Sequence, residues 1–89
     1  MSTGSRTRTR HIERQAEGYL ELGMARQALE ALARLRNSES FSTHSLYLMG
    51  ESLRALERYD EALGPLGKAA GADPENVAVW LALGWCHKR

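Results

Sequence analysis

The sequence predicts an all-α fold, an antiparallel helix-turn-helix solenoid in which pairs of helices repeat along the chain. Apolar and small residues recur at a 34-residue period without a gap. The two sets that show this period best are Ile12, Leu46 and Trp80, and Ala16, Gly50 and Gly84. Within each period the apolar residues are three or four places apart, which is typical of amphipathic helices. No segment predicts a strand.

We predict five helices, over about 9–22, 25–37, 43–56, 59–71 and 76–89, taking helix boundaries as good to two or three residues. The break inside the first pair falls at Gly23, and the break inside the second falls at Glu57 and Arg58. Both breaks are too short for anything but an antiparallel turn. Small residues such as Gly50 should let paired helices pack closely, so Gly50→Leu should separate them.

Proline and glycine refine the second half of this prediction. Asp73 can cap the fifth helix, with Pro74 at its first position, where a missing N–H does no harm. Pro65 and three nearby glycines should leave the fourth helix kinked or frayed. The predicted organisation is a disordered basic arm over 1–8 and a helical domain over 9–89. That domain has units over 9–42 and 43–76 and a partial unit over 77–89.

Composition narrows the class of protein. The chain has 89 residues, a net charge of +1 and a single cysteine, Cys86. One cysteine cannot form an internal disulfide, which indicates a reducing, cytoplasmic setting. The polar N-terminus resembles neither a secretory signal nor a membrane anchor, and the apolar run near the end is too short to span a membrane. The arginine-rich arm lacks interleaved aromatic residues, so no nucleic-acid partner is expected.

The repeated unit resembles the tetratricopeptide repeat, a 34-residue pair of helices with fixed apolar, small and proline positions. The residues of the second unit that match this pattern are Leu46, Met49, Gly50, Leu53, Ala62, Leu66 and Pro74. Trp80, Leu83 and Gly84 open a third unit with the family's own residues. The resemblance implies a scaffold or adaptor module for protein–protein interaction, without catalysis or cofactor.

The resemblance also implies a concave groove, lined by the first helix of each unit, that binds a peptide or helix of a partner. The family's groove positions fall here on Glu13, Glu17, Leu20, Glu21, His44, Tyr47, Glu51, Arg54, Leu81 and Trp85. Some members hold a partner's C-terminal carboxylate with Lys and Asn, but Glu13 and Glu17 exclude that mode here. An acidic zone beside Tyr47, Leu81 and Trp85 favours a basic and apolar ligand. The alternative is an ordinary solvated helix face.

The fifth helix raises a question of its own, because apolar residues surround it instead of forming one stripe. Two explanations stand open. Either the chain is a fragment of a longer repeat protein, or another copy covers the exposed face through Trp80, Leu81 and Trp85, which would give a dimer. The second explanation makes a structural self-association module the alternative function.

Candidate catalytic and metal-binding residues are few. Adjacent helical residues point about 100° apart, so Cys86 and His87 do not face each other as a nucleophile and its base must. We interpret Cys86 as a small apolar residue. His11 and His44 each lack a second ligand three or four residues away, so no metal site is predicted. The sequence predicts no enzyme.

Overall fold

The computed structural model describes residues 2–35 and 42–88, with the side chains of 7–35 and 42–88. Five helices make up this part of the chain, and it contains no strand. The helices are α1 (Ser2–Glu21), α2 (Ala25–Ala33), α3 (Thr43–Ala55), α4 (Tyr59–Ala72) and α5 (Val77–Lys88). The all-α fold class is therefore confirmed. The predicted last residues of the second and fifth helices, 36–37 and 89, lie outside the described residues.

The first helix begins earlier than predicted. We expected a disordered arm over 1–8, but α1 starts at Ser2 and runs without interruption to Glu21. For residues 2–8 the prediction of disorder was wrong. The segment holds no proline, its arginines favour helix, and once a helix exists each added residue gains a backbone hydrogen bond.

The prolines and their neighbours also differ from expectation. Pro65 lies inside α4, which continues to Ala72 without fraying. Tertiary burial explains this, because Leu66 and Ala69 beyond the proline are fully buried. The cap of α5 is Asn76, whose Oδ1 accepts the Val79 N–H at 3.3 Å, and Asp73 instead ends α4.

The two helix-to-helix turns repeat the 34-residue register. In the first turn the Met24 N–H donates to the Tyr19 carbonyl at 2.7 Å, and Gly23 has a φ of 76°. In the second turn the Arg58 N–H donates to the Leu53 carbonyl at 2.8 Å, and Glu57 has a φ of 61°. Both are the left-handed C-terminal motif that glycine favours. Antiparallel pairing in both units follows from this one motif.

The core consists of two clusters that meet at α3. The first lies between α1 and α2 and is capped by Leu48 of α3. The second joins α3, α4 and α5, and Tyr47 packs against both. A Cβ at Gly50 would overlap the Leu66 side chain, so the glycine is what lets α4 lie directly on α3. Because α3 also contacts α1 and α5, the first helices of the units lie side by side.

Candidate partner-binding groove

A groove follows the side-by-side first helices α1, α3 and α5. It consists of a cavity of about 440 Å³ between α1 and α3 and a cavity of about 270 Å³ between α3 and α5. Both cavities are lined by Tyr47, Glu51 and Arg54, so they form one continuous surface, which we call the α1–α3–α5 groove. Helices in equivalent positions thus bring residues of three sequence segments together.

Most residues predicted for the groove do line it. The first cavity contains Glu17, Leu20, Glu21, His44, Tyr47, Glu51 and Arg54. The second adds Leu81 and Trp85 to the shared residues. Acidic residues therefore gather at the α1 side of the groove, and the large apolar residues gather at the α5 side.

Glu13 does not line the groove, although the sequence placed it there. Its Oε2 accepts a hydrogen bond from Ser42 Oγ at 2.6 Å and another from Ser45 Oγ. Ser42 is also the N-cap of α3, since its hydroxyl accepts the Ser45 N–H at 3.0 Å. Ser45 is fully buried and needs a polar partner, which Glu13 supplies. Glu13 therefore fastens α1 to the start of α3.

The predicted acidic zone is largely paired inside the protein. Glu17 forms a short contact with His44 Nε2. Glu51 accepts two hydrogen bonds from Arg54, from Nε and Nη2, each at 2.9 Å. Glu21 is exposed, and no ion pair links it to another described residue. Glu21 is thus the carboxylate in the groove that can receive a cation without breaking an internal pair.

Arg54 links the two halves of the groove. Its guanidinium carbon lies 6.0 Å from the centre of the Trp85 ring, at the outer limit of a cation–π contact. The hydrogen bonds that Arg54 donates to Glu51 raise the pKa of its guanidinium further above its already high ordinary value. The side chain is therefore held as a cation between a carboxylate on α3 and an indole on α5.

Tyr47 stands at the junction of the two cavities and is half-buried. Burial is the main cause that raises the pKa of its hydroxyl, and the neighbouring Glu51 carboxylate raises it further. The phenol is therefore protonated at neutral pH and can donate a hydrogen bond. Its position gives the groove an aromatic centre with one polar atom.

The three residues predicted for self-association do not form one patch. Leu81 and Trp85 line the α1–α3–α5 groove, whereas Trp80 lines a different cavity between α4 and α5. Trp80 Nε1 donates to the Pro74 carbonyl at 2.7 Å, which fixes the indole there. This cavity between α4 and α5 measures about 630 Å³, and we call it the α4–α5 groove. Its lining residues are Leu63, Gly67, Ala70, Gly71, Pro74, Trp80, Leu83 and His87.

Sequence reasoning missed the α4–α5 groove. The apolar residues all round α5 were a signal, but they did not show that Leu63 and Ala70 of α4 complete a wall. Leu63 and Trp80 of this groove lie one 34-residue period after Leu29 and Leu46, which pack against the cluster that contains α4. Applying that period to the sequence would have predicted an equivalent groove beside α5.

Cys86 and His87 are separated by their environments. Cys86 is buried, and burial raises the pKa of its thiol. His87 is exposed on the α4–α5 groove. Over the described ranges, no three His, Cys, Asp or Glu side chains come together as a metal site requires. None of the helices over these ranges has the length and apolar character to cross a membrane.

The fold, the register and the groove define a helical-repeat protein built from stacked helix pairs. The family model of the tetratricopeptide repeat matches residues 13–76 and 47–88. The chain belongs to the tetratricopeptide repeat family. Comparisons with curated proteins and with solved structures give no match. Tetratricopeptide repeats generally mediate protein–protein interaction and are typically non-catalytic scaffolds.

Proposed function

We propose that this protein is an interaction module that binds a peptide or helix of a partner in the α1–α3–α5 groove and has no catalytic activity. The observation that carries the proposal is the continuity of two cavities through Tyr47, Glu51 and Arg54. A partner segment lying across α3 would contact all three first helices at once.

The lining suggests the chemistry of the partner. Glu21 offers an unpaired carboxylate at the α1 side, and Leu81 and Trp85 offer apolar area at the α5 side. A segment with a Lys or Arg at one end and a large apolar residue at the other would match both. Aromatic residues such as Tyr47 and Trp85 are the side chains that most often dominate binding energy.

Selection from a random-peptide display library tests this proposal. We expect the bound peptides to be rich in Lys or Arg together with aromatic or aliphatic residues. For an individual selected peptide, Tyr47→Ala should weaken binding by about 2 kcal/mol, roughly 30-fold in Kd. Glu21→Gln should weaken it less, with an effect that shrinks at high salt.

Trp80→Ala is the matched control, because it removes an aromatic residue that lies outside this groove. Peptides that bind Trp80→Ala and Tyr47→Ala equally well would contradict the proposed site. The cytoplasmic setting indicated by the lone Cys86 remains part of the proposal.

Self-association through α5 is the second candidate function, and the exposed fraction of its apolar side chains favours it. Leu81 is 69% exposed, Trp80 is 51% exposed and Trp85 is 44% exposed. Light scattering would then show a dimer that Leu81→Glu or Trp85→Glu converts to a monomer. The same exposure has an alternative explanation, which is that the chain is a fragment of a longer array. In that case a longer protein that includes the next part of the array should be a monomer.

A further inference from the structure

Two groups at the α5 side of the α1–α3–α5 groove have the chemistry that attracts a cation. The Glu51 carboxylate and the Trp85 indole both line the cavity of about 270 Å³ between α3 and α5. A carboxylate attracts an ammonium or guanidinium group by its charge, and the face of an indole ring attracts it by its quadrupole. Together the two side chains make a cation site, which we call the α5 cation site.

Arg54 of the same chain already occupies the α5 cation site. Its Nε donates to one carboxylate oxygen of Glu51 and its Nη2 donates to the other, each at 2.9 Å. Its guanidinium carbon lies 6.0 Å from the centre of the Trp85 ring. The Glu51 side chain is only 19% exposed, and both of its oxygens are engaged. A Lys or Arg of a partner would have to displace Arg54 to reach the carboxylate.

The α1 side of the groove offers a carboxylate without such a cation. Glu21 lines the cavity of about 440 Å³, is exposed, and forms no ion pair with another residue in the described ranges. Among the described residues that line the two cavities, Arg54 is the single Lys or Arg. A partner's cation therefore meets an open carboxylate at the α1 side and a like charge at the α5 side.

We propose that Arg54 is a specificity-determining residue of the α1–α3–α5 groove, because it fills the α5 cation site and so restricts a partner's Lys or Arg to the α1 side. This role rests on the proposed function and adds that the partner residue beside Leu81 and Trp85 is uncharged. A cation at that place would bring two like charges together and would not reach Glu51. Repelling the wrong ligand in this way is a common source of specificity.

The charge that excludes a second cation is permanent. A guanidinium group keeps its proton across the physiological pH range, and the hydrogen bonds to Glu51 raise the pKa of Arg54 still further. The two hydrogen bonds also fix the planar group in one orientation. Arg54 therefore restricts the ligand by its presence, without a change of protonation.

Arg54→Met tests this role, because methionine keeps an unbranched side chain but removes the charge and makes Glu51 and Trp85 accessible. Arg58→Met is the matched control. Arg58 donates from Nε and Nη2 to the two oxygens of Glu61, also three residues away on the chain, but neither residue lines the groove. The peptide selection is repeated on both variants. In one selected peptide, the apolar residue whose contribution is lost with Trp85→Ala is replaced by Arg.

In the unsubstituted protein, we expect this replacement in the peptide to weaken binding by at least about tenfold, and Arg58→Met should behave in the same way. In Arg54→Met the replacement should change Kd by no more than about twofold, because Glu51 and Trp85 then receive the new cation. Peptides selected on Arg54→Met should carry a second Lys or Arg. Adding Glu51→Gln to Arg54→Met should restore the preference for an apolar residue.

A second measurement needs no selected peptide. N-acetyl-arginine amide is titrated into a Trp80→Phe protein, in which emission reports Trp85, and N-acetyl-glutamine amide serves as the neutral counterpart. With Arg54→Met, the arginine compound should act at a concentration at least about threefold lower than with Arg54 present. The neutral compound should act alike on both proteins.

The role of Arg54 is overturned if Arg54→Met and Arg58→Met change the peptide preference alike. It is overturned equally if the arginine compound acts alike on the proteins with and without Arg54. Failure of the proposed function gives a different result. In that case no peptide is selected, or Tyr47→Ala leaves peptide binding unchanged, and the titration with the arginine compound still decides the role of Arg54.

Discussion

Helices α3 and α5 occupy equivalent places in consecutive units, but their surroundings differ. α3 is packed on α2, covered by α4 and flanked by α1 and α5. α5 contacts α4 and α3, and its Trp80, Leu81 and Trp85 stay exposed. The comparison shows that equivalent positions of the repeat have different physical roles, depending on whether another helix packs over them. Gly50 permits a close packing contact, whereas Gly84 lies on an open surface.

The largest difference should appear when leucines of the two regions are truncated. Leu66 is fully buried between α3 and α5, so Leu66→Ala should lower the free energy of unfolding by about 3 kcal/mol. Leu81 is mostly exposed, and Leu81→Ala should change it by less than about 0.5 kcal/mol. Urea unfolding followed by circular dichroism measures both. A large loss for Leu81→Ala would mean that another surface already covers α5.

A second difference lies in the two equivalent turns. Glu57 holds a left-handed φ that glycine adopts without strain, so Glu57→Gly should stabilise the fold by about 0.5–1 kcal/mol. Gly23→Ala should destabilise it by about 1 kcal/mol for the same reason. Chemical denaturation of both variants checks these values. A change in the free energy of unfolding with the same sign for both substitutions would contradict a shared turn geometry.

The buried side of α5 should be chemically unreactive at Cys86. Burial raises the pKa of the Cys86 thiol, so at neutral pH it is protonated and shielded. Alkylation by iodoacetamide should be at least about tenfold slower in the folded chain than in urea, as followed by mass spectrometry.

The sign of the pH effect on stability follows from the same shift. The Cys86 thiol has a higher pKa in the folded chain than in the unfolded chain, so it contributes its full stability below the unfolded-state pKa, about 8.5. That stability is lost as the pH rises through the folded-state pKa. Cys86→Ala should therefore reduce the loss of stability as the pH rises above about 8.5. Equal slopes in both proteins would show that Cys86 is not the group responsible.

Sequence patterns predicted the helices because their apolar spacing and turn positions are local signals. The pairing of Ala16, Gly50 and Gly84 in one register also needed no coordinates. The role of Glu13 could not be predicted, because its hydrogen bonds to Ser42 and Ser45 depend on how α1 crosses α3. Nothing local marked Ser2 as a helix start, and Pro65 was tolerated because residues beyond it are buried.

Of the residues predicted for the groove, all but Glu13 line its two cavities, but the pairing of their charges was not predicted. Glu51 and Arg54 are three residues apart on a helix, a spacing that permits an ion pair. Whether Arg54 turns to Glu51 or to a partner depends on side-chain geometry, and in the structure it also reaches Trp85. Two carboxylates of the groove, Glu17 and Glu51, are thus engaged by neighbouring side chains of the protein.

Paired substitution of Gly50 and Gly84 tests the central claim of the stacked register most directly. Gly84→Ala should raise the free energy of unfolding by about 0.5–1 kcal/mol, as expected for an open helical glycine. Gly50→Ala should lower it, and Gly50→Leu should lower it by about 3 kcal/mol or more, because each added atom must displace Leu66. Opposite signs for the two alanine variants support the account, and a stabilising Gly50→Ala would contradict it.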